Sequence, residues 1–369
     1  MMDRLSVSAP GRICLFGEHQ DYLGLPVITA AINLRISING KKREDHVFHL
    51  ELPDIVSQET INLTQPIVYL KERDYFRSGL NVLLRQNMEF TQGYDCIVRG
   101  NIPINSGTSS SSALLVAWIK FLLSAASAKR RQHPYEIAIL AHQAEVVEFN
   151  EPGGMMDHFA ASFGSVLYID FNDSKSPQIL PVKLGQFVLG DSQQPKDTKG
   201  ILTRVKQGTL EALKILSHKD RQITINTLSP EEFDRYRNLL SPEQAELITA
   251  NIINRELTQQ AKELLQQQQV DDQELGRLLN MHQQQLRDRL HISTSKIDRM
   301  IDVALKAGAV GAKINGSGGG GCMFAYAPNS TEQVAEAIAR VDGKSYIISV
   351  DEGVNCICSE LERNEVLDY

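Results

Sequence analysis

The stretch Pro10-Gly11-Arg12-Ile13-Cys14-Leu15-Phe16-Gly17-Glu18-His19-Gln20-Asp21-Tyr22 sets a short apolar run between a Pro-Gly punctuation and a turn dense in Glu, His and Asp. Ahead of it Leu5 to Ala9 reads as a strand; behind it, after Gly24, Val27 to Ile38 is apolar again. The spacing therefore predicts a β-rich opening layer whose turn is held by strands on both sides. Carboxylates such as Glu18 and Asp21 accept hydrogen bonds from hydroxyls, and His19 can donate or accept, so the turn suits recognition of a polyol. By itself, the same group of Arg, Glu and Asp also fits a surface ion-pair network.

Two further loops carry chemistry. Pro103-Ile-Asn-Ser-Gly107-Thr-Ser-Ser-Ser-Ser112 joins a predicted strand, Tyr94 to Arg99, to a long apolar helix, Ala113 to Ala128. Its small residues let the backbone wrap closely. The free N–H groups and dipole of the helix start favour a phosphate chain, and the four serines add hydroxyl donors. A Ser-capped helix behind a polar loop is the plainer reading. No Gly-Lys-Ser/Thr ending occurs, which excludes a Walker A loop. Far down the chain, Gly316-Ser-Gly-Gly-Gly-Gly321 satisfies G-x-G-x-x-G, with Asp342 beyond it. A dinucleotide loop should open a helix, whereas Cys322 to Ala327 reads as a strand stopped by Pro328, so a tight glycine turn supporting another loop is expected instead of a nicotinamide site.

The rest of the chain bounds the answer. At 369 residues, 42% apolar and 22% charged, it is long enough for about two domains. The net charge of −7, relieved only by the short runs Lys41 to Arg43 and Lys129 to Arg131, argues against nucleic acid as a partner. The longest apolar stretch, Ala113 to Ala128, is too short to span a bilayer, and five scattered cysteines fit a reducing compartment, so the cytoplasm is expected. Cys356 and Cys358 share a face of a predicted strand and are expected to be buried apolar thiols. Helical spacing is seen at Val68 to Asn87, Tyr135 to Phe149, Met155 to Phe163, Thr198 to Ser217, Pro230 to Asn238, Gln244 to Gln269, Gln273 to Leu290 and Ser295 to Ala307. Gln266 to Gln269 is expected to be a solvated helix face, and composition shifts toward helix near residue 185.

The three loops resemble the three signature motifs of the GHMP kinases, the superfamily that contains galactokinases, homoserine kinases, mevalonate kinases and phosphomevalonate kinases. The likeness runs from Ser8 to Pro328. The first motif is most similar to the galactokinase form PGRxNLxGEHxDY, with Arg12 and the His19-Gln20-Asp21-Tyr22 ending as its sugar-kinase marks. The second carries Asn105 and Thr108 where the family usually shows Gly and Leu. Gly190 to Ser192, Ser293 to Asp298 and Gly308 to Ile314 resemble mevalonate kinases at least as much.

The resemblance implies an α+β, two-domain GHMP kinase fold with the active site in the cleft between residues 1–185 and 186–369. It implies ATP- and Mg²⁺-dependent phosphorylation of a small sugar, galactose or a related monosaccharide, at the anomeric hydroxyl. Mevalonate is the alternative acceptor, and a non-catalytic sugar- and ATP-binding regulator is the alternative of another class. By position in the motifs, Asp157 and Arg12 would be catalytic; Glu18, His19, Asp21 and Gly154 would bind the sugar; Gly107, Ser109, Ser110, Ser111 and Ser112 would bind ATP; Ser111 and Glu145 would hold the metal. Glu148 is a nearby rival to Glu145, His158 is expected to be structural, and monomer and homodimer stay equally open.

Overall fold

The computed structural model describes residues 4–104, 106–127, 132–151, 153–172, 177–195 and 198–359. Asn105 and the basic run Lys129 to Arg131 lie outside the described residues. The chain runs β1 (Arg4–Phe16), β2 (Val27–Lys42), β3 (Val47–Leu52), β4 (Ser57–Asn62), α1 (Tyr75–Leu84), β5 (Tyr94–Gly100), α2 (Ser110–Ala125), α3 (Pro134–His142), α4 (Met156–Phe163), β6 (Val166–Ile169), β7 (Gln178–Leu180) and β8 (Phe187–Asp191). It continues through α5 (Thr198–Lys219), α6 (Pro230–Asp234), α7 (Pro242–Leu265), α8 (Asp272–Asp288), α9 (Ser295–Lys306), β9 (Gly311–Ile314), β10 (Cys322–Tyr326), α10 (Thr331–Ala339), β11 (Lys344–Ile348) and β12 (Asn355–Ser359).

Two sheets organise these elements into a mixed α+β architecture. The first has the order β12-β1-β2-β5-β3-β4, with β6 and β7 branching from β2; the second is β11-β8-β10-β9, antiparallel throughout. β12 brings the end of the described chain back onto β1, pairing Leu5 with Cys358 and Val7 with Cys356. Cys356 is half-buried against the first core, not fully buried as expected, because it lies on an edge strand; the side chain of Cys358 lies outside the described residues.

β1 is one strand where two were expected. Its register slips at Pro10/Gly11 and again at Cys14/Phe16, so the Pro-Gly pair makes a bulge instead of a break. Leu5, Val7 and Ala9 alternate into the first core, and past the bulge Ile13 to Phe16 are buried on both faces. A side chain at Gly11 would stand 2.8 Å from the carbonyl oxygen of Thr108, so glycine there lets the serine-rich loop lie against the strand.

α2 is the central buried helix. Its Trp118 is fully enclosed, meets Phe48, Phe76 and Phe121, and donates from Nε1 to the Phe76 carbonyl at 2.9 Å. A second apolar cluster contains Ile13, Phe16 and Ile28 from the first sheet and Phe187, Phe324 and Tyr326 from the second. That shared core holds the two sheets at a defined spacing, which is what a site built from both requires. Among the described residues, no helix is long and apolar enough to cross a membrane.

Other expectations need adjusting. The helix expected from Val68 begins only at Tyr75; Val68 and Leu70 are exposed, and the preceding Asp74 side chain is spent accepting the backbone N–H of Leu70. The helix expected through Phe149 is α-helical only to His142 and then widens into a π-type turn over Gln143–Val147. Gln266 to Gln269 form an exposed turn beyond the end of α7, not a helix face.

Candidate active site

The serine loop and the start of α2 form one end of a cleft of about 610 Å³. The loop is held from below by the glycine loop. Asn315 accepts the Cys14 N–H at 2.9 Å and donates to the Gly107 oxygen at 2.9 Å, and the Cys322 N–H donates to the Ser106 oxygen at 2.7 Å. A Cβ on Gly316 would stand 2.9 Å from the Gly107 backbone, so that contact needs glycine; Gly316 also has φ +81°. Gly316 to Gly321 leads into β10 and not into a helix, in keeping with a supporting turn. Thr108, at the unusual position in the motif, is buried and shares its hydroxyl with Ser106 at 2.9 Å.

Asp157, in the first turn of α4, lies at the centre. Arg12 donates from Nε to its Oδ1 at 2.7 Å, and the Ser109 hydroxyl donates to Oδ2 at 2.6 Å. Arg12 also donates from Nη1 to the Gly107 oxygen. Ser109 has φ +61°, a left-handed conformation that costs a non-glycine residue about 1–3 kcal/mol and persists where neighbours hold it, as Asp157 does here. Burial would push the Asp157 carboxyl up, but the Arg12 charge and the Ser109 hydrogen bond outweigh it and hold the group below the usual aspartate range. Burial likewise disfavours charge on Arg12, and the carboxylates of Asp157 and Glu18 more than restore it.

Glu145 sits in the widened turn after α3, buried beside the first turn of α2. Burial again opposes its charge; a 2.8 Å hydrogen bond from His158 Nε2 and further hydrogen bonds from Ser111 and Ser112 bring its pKa below the usual glutamate value. The rival Glu148 faces elsewhere, accepting from Tyr69 and Arg85, and does not line the cleft.

At the other end the turn after β1 is fastened by distant partners. Glu18 and Lys313 form a fully buried ion pair at 2.9 Å, and Lys313 also donates to the Cys14 oxygen at 2.8 Å. His19 reaches the Ser317 carbonyl from Nε2 at 3.0 Å and the Tyr22 hydroxyl from Nδ1 at 3.0 Å. A carbonyl can only accept, so Nε2 carries a proton, and in the neutral ring Nδ1 accepts from Tyr22. Asp21 approaches Gly154 so closely that a Cβ there would stand 1.8 Å from Oδ2. Burial, then the nearby Asp157 charge, pushes the Asp21 carboxyl up to about 6.

The cleft thus brings together Arg12, Glu18, His19, Asp21, Gly107, Ser109, Ser110, Ser111, Ser112, Glu145, Gly154 and Asp157. It also contains residues that the motifs did not single out: Arg73 and Tyr75 at the start of α1, Glu151, and Leu202 on α5. Arg73 grips Glu151 with two hydrogen bonds of 2.8 and 2.9 Å across the mouth. Lys313 was readable only as part of a stretch without an assigned role. Its one signal was a lysine between Ala312 and Ile314 in an apolar strand, where a charge needs a partner.

Two sheets sharing a core, with a serine loop on a helix start facing a carboxylate-rich turn across an Arg-Asp pair, define a phosphotransferase class. Comparison with known proteins agrees. Residues 3–42 match the galactokinase galactose-binding signature, 74–165 the GHMP kinases N-terminal domain and 261–344 the GHMP kinases C-terminal region. The galactokinase of Actinobacillus succinogenes is 27% identical over 366 residues, covering 93% of this chain and 89% of that protein. The mevalonate kinase of Thermococcus sibiricus is 27% identical over 359 residues, covering 94% and 96%. In fold, the chain is similar to Lactococcus lactis galactokinase complexed with galactose (TM-score 0.81, 23% identity, 96% of this chain and 95% of that one). The Methanococcus jannaschii mevalonate kinase is similar at TM-score 0.72 and 20% identity, covering 94% and 98%. The chain belongs to the GHMP kinases; within them it is galactokinase-like, an ATP-dependent sugar kinase.

Proposed function

We propose that this chain transfers the γ-phosphoryl group of ATP to the anomeric hydroxyl of galactose or a closely related monosaccharide. The observation that carries the reading is the placement of Asp157, held by Arg12 and Ser109 between the serine loop on one side and Glu18, His19 and Asp21 on the other. In this reading residues 1–185 and 186–369 are the two domains, with β12 crossing back to the first sheet. Gly107 and Ser109 to Ser112 receive the phosphates at the start of α2, where unpaired N–H groups and the helix dipole favour negative charge. Glu18, His19 and Asp21 take the sugar hydroxyls, and Gly154 keeps the space that Asp21 occupies.

The acceptor oxygen forms a bond to the γ-phosphorus while the bond from phosphorus to the βγ-bridging oxygen breaks, its electrons leaving on ADP. The hydroxyl proton passes to Asp157. Because Arg12 keeps Asp157 ionised and weakly basic, that proton moves late, once bond formation has acidified the hydroxyl. Arg12 also places positive charge where the transferring group carries negative charge.

Ser111 and Glu145 suit a magnesium ion. They offer one hydroxyl and one carboxylate, all-oxygen donors beside the phosphate loop, and Mg²⁺ ordinarily takes one or two carboxylates, the substrate phosphates and waters. Among the described residues no group of three or more His, Cys, Asp and Glu forms an all-protein cage for a softer metal. When bound, the ion would neutralise phosphate charge.

The test is ADP release by the purified protein with ATP and Mg²⁺ across free hexoses, pentoses, uronic acids, heptoses and mevalonate, with Asp157→Asn as control. Turnover of galactose or a near relative, lost in the control, is expected. Mevalonate is the second reading, supported by the 27% identity to the Thermococcus sibiricus mevalonate kinase over 94% of the chain. Turnover of mevalonate alone would establish it, and ATP binding without turnover on any acceptor would point to a regulator.

A further inference from the structure

His158 is buried one residue beyond Asp157, on α4, and makes a single hydrogen bond among the described residues, from Nε2 to Glu145 Oε2 at 2.8 Å. Its other ring nitrogen, Nδ1, is buried with no hydrogen-bond partner among the described residues. A carboxylate accepts and cannot donate, so the proton of the neutral ring is on Nε2. His142 packs edge-on against it, ring centroids 5.2 Å apart and planes at 89°, and its ring donates a hydrogen bond to the Gly153 backbone carbonyl. Glu145 itself sits in a π-type turn, a local widening of the helical backbone ladder of the kind frequent at functional sites. A fully buried imidazole that leaves one nitrogen unsatisfied costs stability, and its one hydrogen bond is spent on a carboxylate facing the phosphate loop.

We propose that His158 is a positioning residue for the metal carboxylate: by holding Glu145 Oε2 it fixes the direction in which Glu145 meets the magnesium ion of MgATP. The inference rests on the metal reading of Glu145 given above. Outer residues that orient a ligating carboxylate typically affect metal affinity about 10–100-fold.

The test compares wild type with His158→Leu, which fills the space without a donor, and His158→Gln, which restores an N–H. Binding of Mn²⁺·ADP, read by electron paramagnetic resonance, and the Mg²⁺ concentration for half-maximal turnover are measured for each. Melting curves verify folding, and Glu145→Gln serves as reference. His158→Leu is expected to weaken Mn²⁺·ADP about tenfold or more, His158→Gln to recover to within about threefold, and the sugar KM to stay within about twofold. In the Glu145→Gln background, His158→Leu should weaken binding no further. Glu145→Gln weakening the metal complex while His158→Leu leaves it within twofold would overturn the positioning role alone. Glu145→Gln without effect would overturn the metal reading and this inference with it. If His158→Leu does not fold, His158→Met supplies the same loss of donor, judged by the same criteria.

Discussion

At one end of the cleft, Ser109 to Ser112 come from one loop and one helix turn, and their chemistry, free N–H groups and hydroxyls, is supplied within a few residues. At the other end, Glu18 is held by Lys313, 295 residues away, His19 by Ser317, and Asp21 lies against Gly154. The serine end draws its donors from one short segment, steadied by Asn315 beneath it and by Arg12 and Asp157 beside it. The carboxylate end takes its geometry from residues of the second sheet and from the loop before α4. Disturbing distant residues should therefore reshape sugar binding more than nucleotide binding, and pairs of variants can break or sharpen that contrast.

The largest effect is expected where the two ends meet. Asp157→Asn keeps the shape but removes the proton acceptor and the charge facing Arg12, and should lower kcat by about 10²–10⁴-fold with modest changes in either KM, measured by steady-state kinetics. Comparable changes in both KM values and no loss of kcat would mean that Asp157 only organises the site.

Lys313→Met leaves Glu18 buried without its partner, and breaking a buried pair from one side costs about 3–5 kcal/mol. Chemical denaturation should show that loss, accompanied by weakened sugar binding. A variant as stable as wild type would remove the claim that the carboxylate end depends on the second sheet.

Gly154→Ala should push the Asp21 carboxylate aside, since the new Cβ would otherwise lie 1.8 Å from Oδ2. The obstacle is the end of a side chain, not backbone, so the fold should tolerate it while the sugar KM rises about tenfold, the scale of one lost hydrogen bond to a charged group. The ATP KM should move little, and equal changes in both would erase the contrast between the ends.

The smallest effect is a pH dependence. Asp21 has its carboxyl raised to about 6, so its ionised form dominates above that pH and its acceptor capacity falls below it. The sugar KM should rise about fourfold on going from pH 7.5 to 5.5, and Asp21→Asn should flatten the profile. Because folding raises its pKa, Asp21 contributes most to stability when protonated, below the ordinary aspartate range, and that contribution is lost as pH rises through about 6. Asp21→Asn should thus melt higher than wild type at pH 8, with the gap closing toward pH 4.

Much of this was legible in the chain. The opening strands, the long helix after the serines, the glycine turn before a strand and the twelve cleft residues were all named from motifs, because each motif combines a backbone requirement with reactive side chains in one short stretch. What was missed has a physical reason in each case. The hairpin β3–β4 carried an alternation, Phe48, Leu50 and Leu52 buried in turn, that went unread beside the charged run before it. The π-type turn at Glu145 leaves no readable sequence signature, because the phase shift it introduces falls at the very end of the helical run, with only a turn after Val147 to show it. His158, expected to be merely structural, proved to touch Glu145, a contact between two helices that spacing along the chain cannot express.

Sequence alone determined the class of chemistry and the residues able to perform it, since close backbone approach, phosphate binding and hydroxyl recognition need particular residue types at short range. Tertiary structure alone decided how those residues are held: that Lys313 neutralises Glu18, that Gly154 makes room for Asp21, that Asn315 props up the serine loop and that His158 faces Glu145. Those contacts join separate elements, from 13 to 295 residues apart in the chain, and their geometry is set by how the helices and the two sheets pack together, which no local pattern encodes.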